Sequence, residues 1–446
     1  MSSPPLPRVV VVGCGFGGLE AVRKLATLPV EVTLLDRTNH HLFQPLLYQV
    51  ATAGLTAPAI SGPIRHILRR EMRTGRLTIL QAEVSDIDAA ERRVTLDDGT
   101  RLGYEHLVVA AGATHSYFGH DDWAAHAHGL KTLADAFNLR ARFIGAFERA
   151  ERCSDDAGRT PWLSFVVIGG GPTGVEMAGT FAEIAQHTLA GEFRRHDPRR
   201  ARVVLLEGGE RILPALEPSL SQRARRQLES LGVEVLTQHR VVGVDAGGVT
   251  VEVLEGDGRR SLRIESRTVV WAAGVAASPL GRALERSAGA KLDRAGRVIV
   301  EPDLSIAGHP EISVVGDLAS AKSHGRGEPT PVPGVSPGAK QMGRWAAANI
   351  GRRLRGEPTR PFRYVDYGDL ATIGRRAAVA SVGVPIVGRL RFWGFGAWLF
   401  WLLVHIYFLI GFRNRLFVMV EWAFAYFTFE RGARVVSVPA PRDREN

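Results

Sequence analysis

The chain has 446 residues, a length that fits two or three domains of ordinary size rather than one hydrophobic core. Hydrophobic residues make up 45% of it and charged residues 23%, which is typical of a globular protein and excludes a mainly disordered one. The net charge of +10 favours an anionic partner. No Lys/Arg block with interleaved aromatic residues is present, so nucleic-acid binding is not predicted.

Cysteine usage limits the chemistry of the protein. The only two cysteines, Cys14 and Cys153, lie far apart in the sequence, which argues against a disulfide framework and a thiolate metal site. No metal ion is therefore predicted. The stretch MSSPPLPR before Val9 is too short for the apolar region of a signal peptide, so we expect most of the chain to stay in the cytoplasm.

The chain opens with a motif that is typical of dinucleotide binding. The apolar run ending at Val12 predicts a buried parallel strand, the G-x-G-x-x-G motif from Gly13 to Gly18 follows, and LEAVRKLATL predicts a helix. Its glycines permit a tight turn, close approach of the backbone to a pyrophosphate, and close helix packing. The next strand ends at Asp36, where a carboxylate can accept a ribose hydroxyl. A glycine-rich turn without a ligand is the alternative.

A second copy of the motif occurs in LSFVVIGGGPTGVEMAG, where Gly169, Gly171 and Gly174 repeat the spacing after another apolar strand. The strand ARVVLLE then ends at Glu207. A carboxylate there accepts from an adenosine 2′-hydroxyl and repels a 2′-phosphate, so NAD(H) is predicted rather than NADP(H). Arg211 nearby leaves the opposite choice open.

Three further apolar strands end in small residues, at Ala111 to Thr114, at Ala273 to Val275 and around Gly316-Asp317. Small residues at strand ends let the backbone contact a flat or charged ligand. Each one alone is equally an ordinary turn, but their order around two glycine loops favours ligand contact.

In this arrangement the chain resembles the flavoprotein reductases with two dinucleotide-binding domains, over residues 8 to about 345. The stretches DRTNHHLFQPLLYQVATAGL, GGGPTGVEMAG and VPGVSPGAKQMGRWAA resemble the type II NADH dehydrogenases, the single-subunit NADH:quinone oxidoreductases that do not pump protons. The tail, from DYGDLATIGRRAAV through FRNRLFVMVEWAFAYFTFERGAR, resembles the bacterial members.

The resemblance implies an α/β fold with two Rossmann-like domains. The expected FAD domain comprises residues 1–160 and 290–350, the inserted NADH domain 161–289, and a C-terminal domain with short strands and membrane-anchoring helices 351–446. Hydride would pass from NADH to the flavin N5, and electrons then to a membrane quinone.

The resemblance also implies which residues hold the two cofactors. The residues expected at FAD are Gly13, Gly15, Phe16, Gly17, Gly18, Asp36, Arg37, Gln44, Ala111, Gly112, Gly316 and Asp317. The residues expected at NADH are Gly169, Gly171, Pro172, Thr173, Gly174, Glu207, Ala273 and Gly274.

Two catalytic residues are implied by the same resemblance. Glu176 would orient nicotinamide or help deliver a proton to quinone, although a carboxylate in the first turn of a helix is also favourable to the helix dipole. Gln341 would border the quinone, with plain helix surface as the alternative. Ser336 is predicted as the N-cap of this helix, with Pro337 in its first turn. Many family members carry Ala and Gln at these two positions, which argues against a quinone clamp of two glutamines here.

The end of the chain is apolar, in WGFGAWLFWLLVHIYFLI from Trp393 to Ile410 and again in LFVMVEWAFAYFTF. As a helix the first stretch would be about 27 Å long, marginal for a hydrocarbon core of about 30 Å. Arginines at both ends argue against a simple span. We predict two helices that dip into one leaflet at anionic lipids, on the cytoplasmic side of the cell inner membrane. One true span and a homodimer interface are alternatives.

Other functions remain open at this stage. A sulfide:quinone oxidoreductase needs a redox pair of cysteines that Cys14 and Cys153 do not offer. A reductase of ferredoxin or rubredoxin would leave the apolar tail unexplained, and a membrane-docked NADH sensor would bind NADH without quinone-dependent oxidation. The sequence does not distinguish ubiquinone from menaquinone.

Overall fold

The structure is a computed structural model that describes residues 5–255, 258–325, 327–384, 388–428 and 430–436. Contacts divide the chain into two compact units. The first unit comprises residues up to 42, 62–114 and 275–366, and the second comprises 43–61, 115–274 and the chain from 367 onward. The C-terminal domain predicted from residue 351 is thus divided, with residues 351–366 in the first unit and the chain from 367 onward in the second. The predicted domain boundaries stay a prediction.

The first unit is built on a six-stranded sheet. Its strands lie in the order Ser305–Ile306, His309–Val314, His106–Val109, Arg8–Val12, Glu31–Asp36 and Leu77–Gln81. The three strands from His309–Val314 to Arg8–Val12 are parallel neighbours, so their carboxyl ends share one edge of the sheet. This edge brings together the first glycine loop, Ala111-Gly112 and Gly316-Asp317. Val9 to Val12 are buried, which confirms the predicted buried strand.

Two helices of the first unit, Phe16–Leu25 and Ser336–Leu354, pack against each other. They approach so closely that a Cβ on Gly343 would lie 2.0 Å from the carbonyl oxygen of Gly17. Close packing of these two helices therefore requires a glycine at position 343.

The second unit contains a five-stranded parallel sheet. Its strands lie in the order Ala127–Gly129, Thr268–Trp271, Ser164–Ile168, Arg202–Glu207 and Val233–Thr237. Because all neighbours are parallel, their carboxyl ends bring the second glycine loop, Glu207 and Ala273-Gly274 to one edge. The helix Pro172–Glu183 follows this loop.

The C-terminal part of the second unit begins with three antiparallel strands, Asp369–Ile373, Ala377–Val384 and Gly388–Gly394. Two helices follow, Phe395–Phe408 and Phe412–Thr428. The prediction that Trp393 begins a helix is wrong, because it pairs with Val379 in the third strand. The first C-terminal helix is therefore only about 21 Å long. Within the described ranges, no helix is both long and apolar enough to cross a membrane.

Shorter elements and connecting helices complete the described chain. The other helices, including 3₁₀ and π turns, are Gln44–Leu46, Leu47–Ala51, Ala57–Ile60, Ile64–Ile67, Arg69–Met72, Asp121–Ala125, Leu133–Arg152, Asp156–Arg159, Ile184–Thr188, Pro198–Arg200, Pro218–Ser230, Leu280–Ala288 and Gly316–Leu318. The other strands are His40–Leu42, Ser61–Pro63, Val84–Asp88, Arg93–Leu96, Arg101–Gly103, Ala113–His115, His239–Asp245, Gly248–Glu255, Gly258–Glu265, Val275–Ala277, Val298–Ile299, Ala319–Ser320, Lys322–Ser323 and Thr330–Pro331.

Candidate functional site

The first glycine loop has the geometry of a phosphate-binding turn. Gly13 has a φ of +91°, and a Cβ there would lie 2.5 Å from the carbonyl oxygen of Ala110. A Cβ on Gly18 would lie 1.8 Å from the carbonyl oxygen of Gly13. A Cβ on Gly15, in contrast, would meet no described atom within 4 Å. The outer glycines are required by the protein itself, whereas the space at the middle one is open to a pyrophosphate.

Asp36 closes this loop from the end of the neighbouring strand. Its Oδ2 accepts a hydrogen bond of 2.6 Å from the backbone N–H of Cys14. Its Oδ1 accepts from the backbone N–H and the hydroxyl of Thr38, both at 2.7 Å. The carboxylate is held in place, and Oδ2, which accepts only one of these hydrogen bonds, keeps acceptor capacity for a ribose hydroxyl. Arg37, the next residue, is exposed and lies 3.7 Å from the Glu83 carboxylate.

The second glycine loop repeats the first in detail. Gly169 has a φ of +110°, and a Cβ there would lie 2.6 Å from the carbonyl oxygen of Ala272. A Cβ on Gly174 would lie 1.9 Å from the carbonyl oxygen of Gly169, while one on Gly171 would meet no described atom within 4 Å. The backbone therefore leaves the same open position beside the middle glycine, at the start of the helix that begins with Pro172 and Thr173.

Glu207 closes the second loop as Asp36 closes the first. Its Oε2 accepts from the backbone N–H of Gly170, and its Oε1 accepts from that of Gly209, both at 2.7 Å. Arg211, which left the choice of nucleotide open, donates to the carbonyl oxygen of Leu216 at 2.5 Å. The Arg211 guanidinium is therefore bound within its own turn. Glu207 is the charged group at the end of the strand.

The remaining residues predicted at FAD divide between the two units. Gly112 and Gly316 adopt positive φ angles of 67° and 75°, which glycine tolerates, at the edge of the first sheet. Gln44 belongs to the second unit, where its amide donates to the carbonyl oxygen of Lys131 at 3.2 Å. Within the first unit, the residues predicted at FAD lie at one edge of the six-stranded sheet. Gln44 belongs to the other unit and is not part of this group.

The helix Ser336–Leu354 begins one residue earlier than predicted. Val335 is extended, with φ −128° and ψ 156°, and Ser336 is the first helical residue rather than the N-cap. Gln341 uses both atoms of its amide on one residue: Nε2 donates to the carbonyl oxygen of Val365 at 3.0 Å, and Oε1 accepts from its N–H at 2.8 Å. The side chain thus joins the helix to the chain that follows, and its contact with quinone stays a prediction.

Lys340 is a residue that the motif analysis missed. Its ammonium lies 5.0 Å from the centroid of the Phe16 ring, at the start of the first loop helix. Burial lowers the pKa of Lys340 to about 8. A cation beside the loop suits an anionic pyrophosphate. The sequence contained one signal for this residue. Lys340 stands four residues after Ser336, so the two residues lie on the same face of the predicted helix.

Glu176 is buried in the second unit, with 8% of its surface exposed. It lies beyond the first turn of the helix Pro172–Glu183, so the predicted first-turn placement is wrong. Burial raises the pKa of its carboxyl well above the ordinary value, opposed by a hydrogen bond from the Thr372 N–H. Burial therefore favours the protonated form of this carboxyl, which is the form that can donate a proton.

A chamber with aromatic walls, here called the aromatic chamber, lies within the second unit and encloses about 670 Å³ including its mouth. Its walls come from the helix Leu47–Ala51, the end of the helix Pro172–Glu183, the turn after Ile373 and both C-terminal helices. The aromatic residues of its wall are Tyr48, Trp398, Trp401, Trp422 and Tyr426.

One end of the aromatic chamber carries a buried ionic cluster. The Glu183 carboxylate lies 3.5 Å from Arg375 and 3.2 Å from Arg431. Arg375 also donates to the carbonyl oxygen of Tyr426 at 2.7 Å, and Arg431 donates to that of Thr52 at 3.3 Å. Burial lowers the pKa of both arginines, and the Glu183 charge opposes this. The cluster thus joins the C-terminal segment to the helix Pro172–Glu183. Because breaking a buried charge pair is costly, it should hold these two parts of the chain together.

Comparisons with known proteins identify the family. A family model described as pyridine nucleotide-disulphide oxidoreductase matches residues 7–346. The type II NADH:quinone oxidoreductase NdhA of Mycobacterium tuberculosis is 45% identical over 438 residues, which cover 96% of this chain and 89% of that protein. The chain belongs to the type II NADH:quinone oxidoreductases. Another type II NADH:quinone oxidoreductase, from Staphylococcus aureus, is 31% identical over 389 residues, covering 86% of this chain and 91% of that protein.

Solved structures share the fold of this type II NADH:quinone oxidoreductase. NDH2 from Plasmodium falciparum in complex with NADH matches with a TM-score of 0.82 at 20% identity, covering 96% of this chain and 99% of that one. The sulfide:quinone oxidoreductase from Aquifex aeolicus matches with a TM-score of 0.71 at 17% identity, covering 92% of each chain.

These matches confirm three predictions for this type II NADH:quinone oxidoreductase. They confirm the family, the α/β fold with Rossmann-like sheets, and oxidoreductase activity with FAD and NADH as cofactors. They favour that activity over a ferredoxin-type reductase or an NADH sensor. The roles of individual residues stay predictions.

Proposed function

We propose that this protein oxidises NADH and reduces a membrane quinone without pumping protons. The observation that carries the proposal is the duplication of one loop design, each copy closed by an acid, in a chain of this family. The overall reaction balances as NADH + H⁺ + quinone giving NAD⁺ + hydroquinone. FAD held at the first loop would supply the redox chemistry that links the hydride donor to the quinone.

The first loop fits FAD on the geometry described above. The open position at Gly15 and the N-terminus of the following helix would hold the pyrophosphate. Asp36 would bind the adenosine ribose, and Lys340 adds a cation beside the loop. We assign Ala111-Gly112 and Gly316-Asp317 to the same cofactor because their strands end at this edge.

The second loop would hold NADH at Gly171, with Glu207 accepting the adenosine 2′-hydroxyl. Glu176 would supply a proton during reduction of the quinone, because burial raises the pKa of its carboxyl and so favours the protonated form. The net reaction takes one proton from water, so an acid that can be reprotonated is required.

The direct test is NADH oxidation by FAD-loaded protein in liposomes, with and without a short-chain quinone. Rapid oxidation that depends on quinone is expected. If NADH reduces the flavin but quinone does not reoxidise it, the acceptor is wrong, and a protein electron carrier becomes the leading candidate.

The same assay tests the choice of nucleotide. We expect kcat/KM with NADPH to be about 100-fold lower than with NADH, because Glu207 repels a 2′-phosphate. Glu207→Gln should reduce this discrimination to about 10-fold by removing the charge. Glu234→Gln, at a surface ion pair with Arg202, is the control and should leave the ratio unchanged. Equal rates of the unaltered protein with both nucleotides would contradict the assignment.

We further propose that the two C-terminal helices bind the cytoplasmic face of the inner membrane at anionic lipids. They carry exposed apolar side chains, among them Leu403 at 57%, Val420 at 59% and Phe427 at 81%. An apolar surface of this kind, with the exposed Arg413 beside it, suits the headgroup boundary of an anionic leaflet. The cytoplasmic side agrees with a bias of arginine toward that face.

Flotation with anionic liposomes tests this placement. Leu403→Glu combined with Val420→Glu should weaken liposome binding by about 100-fold, because two exposed apolar side chains that would insert into the lipid are replaced by charged ones. Ile299→Glu, at an exposed apolar residue of the first unit, should not change it. If the double substitution leaves liposome binding intact and instead dissociates a homodimer, the apolar helices form a subunit interface.

A further inference from the structure

On the helix that follows the first glycine loop, Phe16 and Glu20 lie one turn apart and face a second helix of the first unit. On that second helix, Ser336–Leu354, Lys340 and Arg344 are also one turn apart. The Lys340 ammonium is 5.0 Å from the centroid of the Phe16 ring. One turn further from the loop, Arg344 donates to the Glu20 carboxylate at 2.6 Å. Lys340 is therefore the charged residue of this pairing that lies nearest the glycine loop.

Three cations share one carboxylate at this helix contact. Glu20 is buried, and its two oxygens are bound by Arg23 at 3.1 Å and by Arg344 at 2.6 Å. Lys340 is the third cation that interacts with this carboxylate. The group therefore carries more positive than negative charge, and the excess lies beside the loop to which we assign the FAD pyrophosphate. A pyrophosphate is an anion, so it would compensate this excess.

Backbone packing holds Lys340 in place beside the loop. A Cβ on Gly17 would lie 3.3 Å from the carbonyl oxygen of Ala339, the residue before Lys340. A Cβ on Gly343 would lie 2.0 Å from the carbonyl oxygen of Gly17. The two backbones thus touch in the first turn of the loop helix, on both sides of the lysine. This is the end of the helix at which backbone N–H groups bind phosphate.

Lys340 loses its proton more easily than an ordinary lysine. Burial lowers its pKa to about 8, Glu20 opposes this shift, and the charges of Arg344 and Arg23 add to it. His41 also faces this lysine, and burial lowers the pKa of His41 to about 4. An anion bound beside Lys340 would raise the lysine pKa again, because it stabilises the ammonium form.

We propose that Lys340 binds the pyrophosphate of FAD as an ammonium ion, so that retention of FAD is linked to a proton and weakens in alkaline medium. The proposal rests on the proposed function, in which the first loop holds FAD. Lys340 would contact the cofactor, whereas Glu20 and Arg344 are positioning residues that act through it.

The direction of the pH dependence follows from this linkage. Below a pH of about 8 the lysine is charged before FAD binds, so the affinity has its full value. Above that pH the lysine must take up a proton when FAD binds, and the affinity falls about 10-fold for each pH unit. The fall ends at the higher pKa that Lys340 has beside the bound pyrophosphate.

Retention of FAD by the holoenzyme is the measurement. Holoenzyme is diluted in steps at pH values from neutral to about 10, and free flavin is quantified by its absorbance in the filtrate after ultrafiltration. For the unaltered protein, the Kd of FAD should be constant up to a pH of about 8 and then rise about 10-fold for each pH unit. A Kd that stays constant over the whole range would overturn the proposal.

Two substitutions of Lys340 separate its charge from its packing. Lys340→Met keeps an apolar stem against the Phe16 ring, and it should raise the Kd of FAD about 10-fold at neutral pH and give a flat pH profile. Lys340→Arg stays charged throughout the range, so its Kd should remain low in alkaline medium. If the Kd of Lys340→Arg rises with pH as in the unaltered protein, a different group titrates and the proposal is wrong.

The matched control is Lys291→Met, which removes an exposed lysine of the same unit. It should leave both the Kd at neutral pH and the rise above a pH of about 8 as in the unaltered protein. A flat profile in this control as well would attribute the effect to the net charge of the protein and would count against Lys340.

Two outcomes separate this inference from the proposed function. If the unaltered protein retains FAD equally at neutral and alkaline pH and Lys340→Met matches it, the inference is wrong and the proposed function stands. If the unaltered protein, supplied with FAD, retains none at any pH, the proposed function is wrong and the inference falls with it.

Discussion

Gly15→Ala is expected to produce a folded protein that has lost FAD, and Gly171→Ala one that keeps FAD but binds NADH poorly. At both positions an added Cβ would meet no described atom within 4 Å, so folding of the protein itself should be unaffected. The methyl group would instead occupy the space where a pyrophosphate must approach the backbone. We expect each affinity to fall about 10- to 100-fold, the range for forcing an extra methyl group into a filled site.

The readouts are the flavin absorbance retained per protein after gel filtration and the NADH concentration that half-saturates flavin reduction. The matched control is Gly145→Ala, within the helix Leu133–Arg152, where an added Cβ would also meet no described atom within 4 Å. It should change neither the retained flavin nor the half-saturating NADH concentration. Gly18→Ala should prevent folding, because its Cβ would lie 1.8 Å from the Gly13 carbonyl oxygen. Wild-type FAD retention by Gly15→Ala would show that the first loop does not hold the pyrophosphate.

Glu176→Gln should lower kcat for quinone-dependent NADH oxidation by about 100-fold, because an amide of the same shape cannot give up a proton. Reduction of the flavin by NADH in a single turnover should be nearly unchanged if Glu176 serves quinone rather than nicotinamide. Slowed flavin reduction would instead assign Glu176 to orienting NADH. Glu148→Gln, at an exposed position of the helix Leu133–Arg152, is the control.

The pH dependence of Glu176 follows from the direction of its pKa shift. Because burial raises the folded-state pKa above the unfolded value, the protein binds more protons folded than unfolded between the two. The stabilisation by Glu176 is therefore complete below the unfolded pKa and is lost as pH rises through the folded pKa. Thermal unfolding should show Glu176→Gln gaining stability relative to the unaltered protein at alkaline pH. A constant difference across pH would contradict a buried neutral acid.

Local patterns were sufficient to predict both nucleotide loops. A strand, a glycine-rich turn and a helix occupy consecutive residues, so Gly13, Gly18, Gly169 and Gly174 could be placed before any long-range contact was known. The errors occurred at element ends. Ser336 and Trp393 were misplaced because a helix start and a strand end are decided by partners elsewhere, such as the pairing of Trp393 with Val379.

The side-chain contacts that build the aromatic chamber could not be predicted in this way. Gln49 accepts a hydrogen bond from Trp422, but the two are separated by 373 residues, and neither position belongs to a recognised nucleotide motif. The same holds for Arg431, whose buried ion pair with Glu183 joins the chain end to the loop helix. Contacts between such distant residues leave no periodicity or fixed spacing in the sequence from which they could be predicted.

The sequence by itself determined the two loop designs, the acids Asp36 and Glu207 that close them, and the apolar character of the C-terminal segment, because each depends on residues close together in the chain. The tertiary structure alone decided the direction of the pKa shifts of Glu176 and Lys340 and the walls of the aromatic chamber. Burial and hydrogen-bond partners arise only when distant segments pack together, and they set the pKa values of a site.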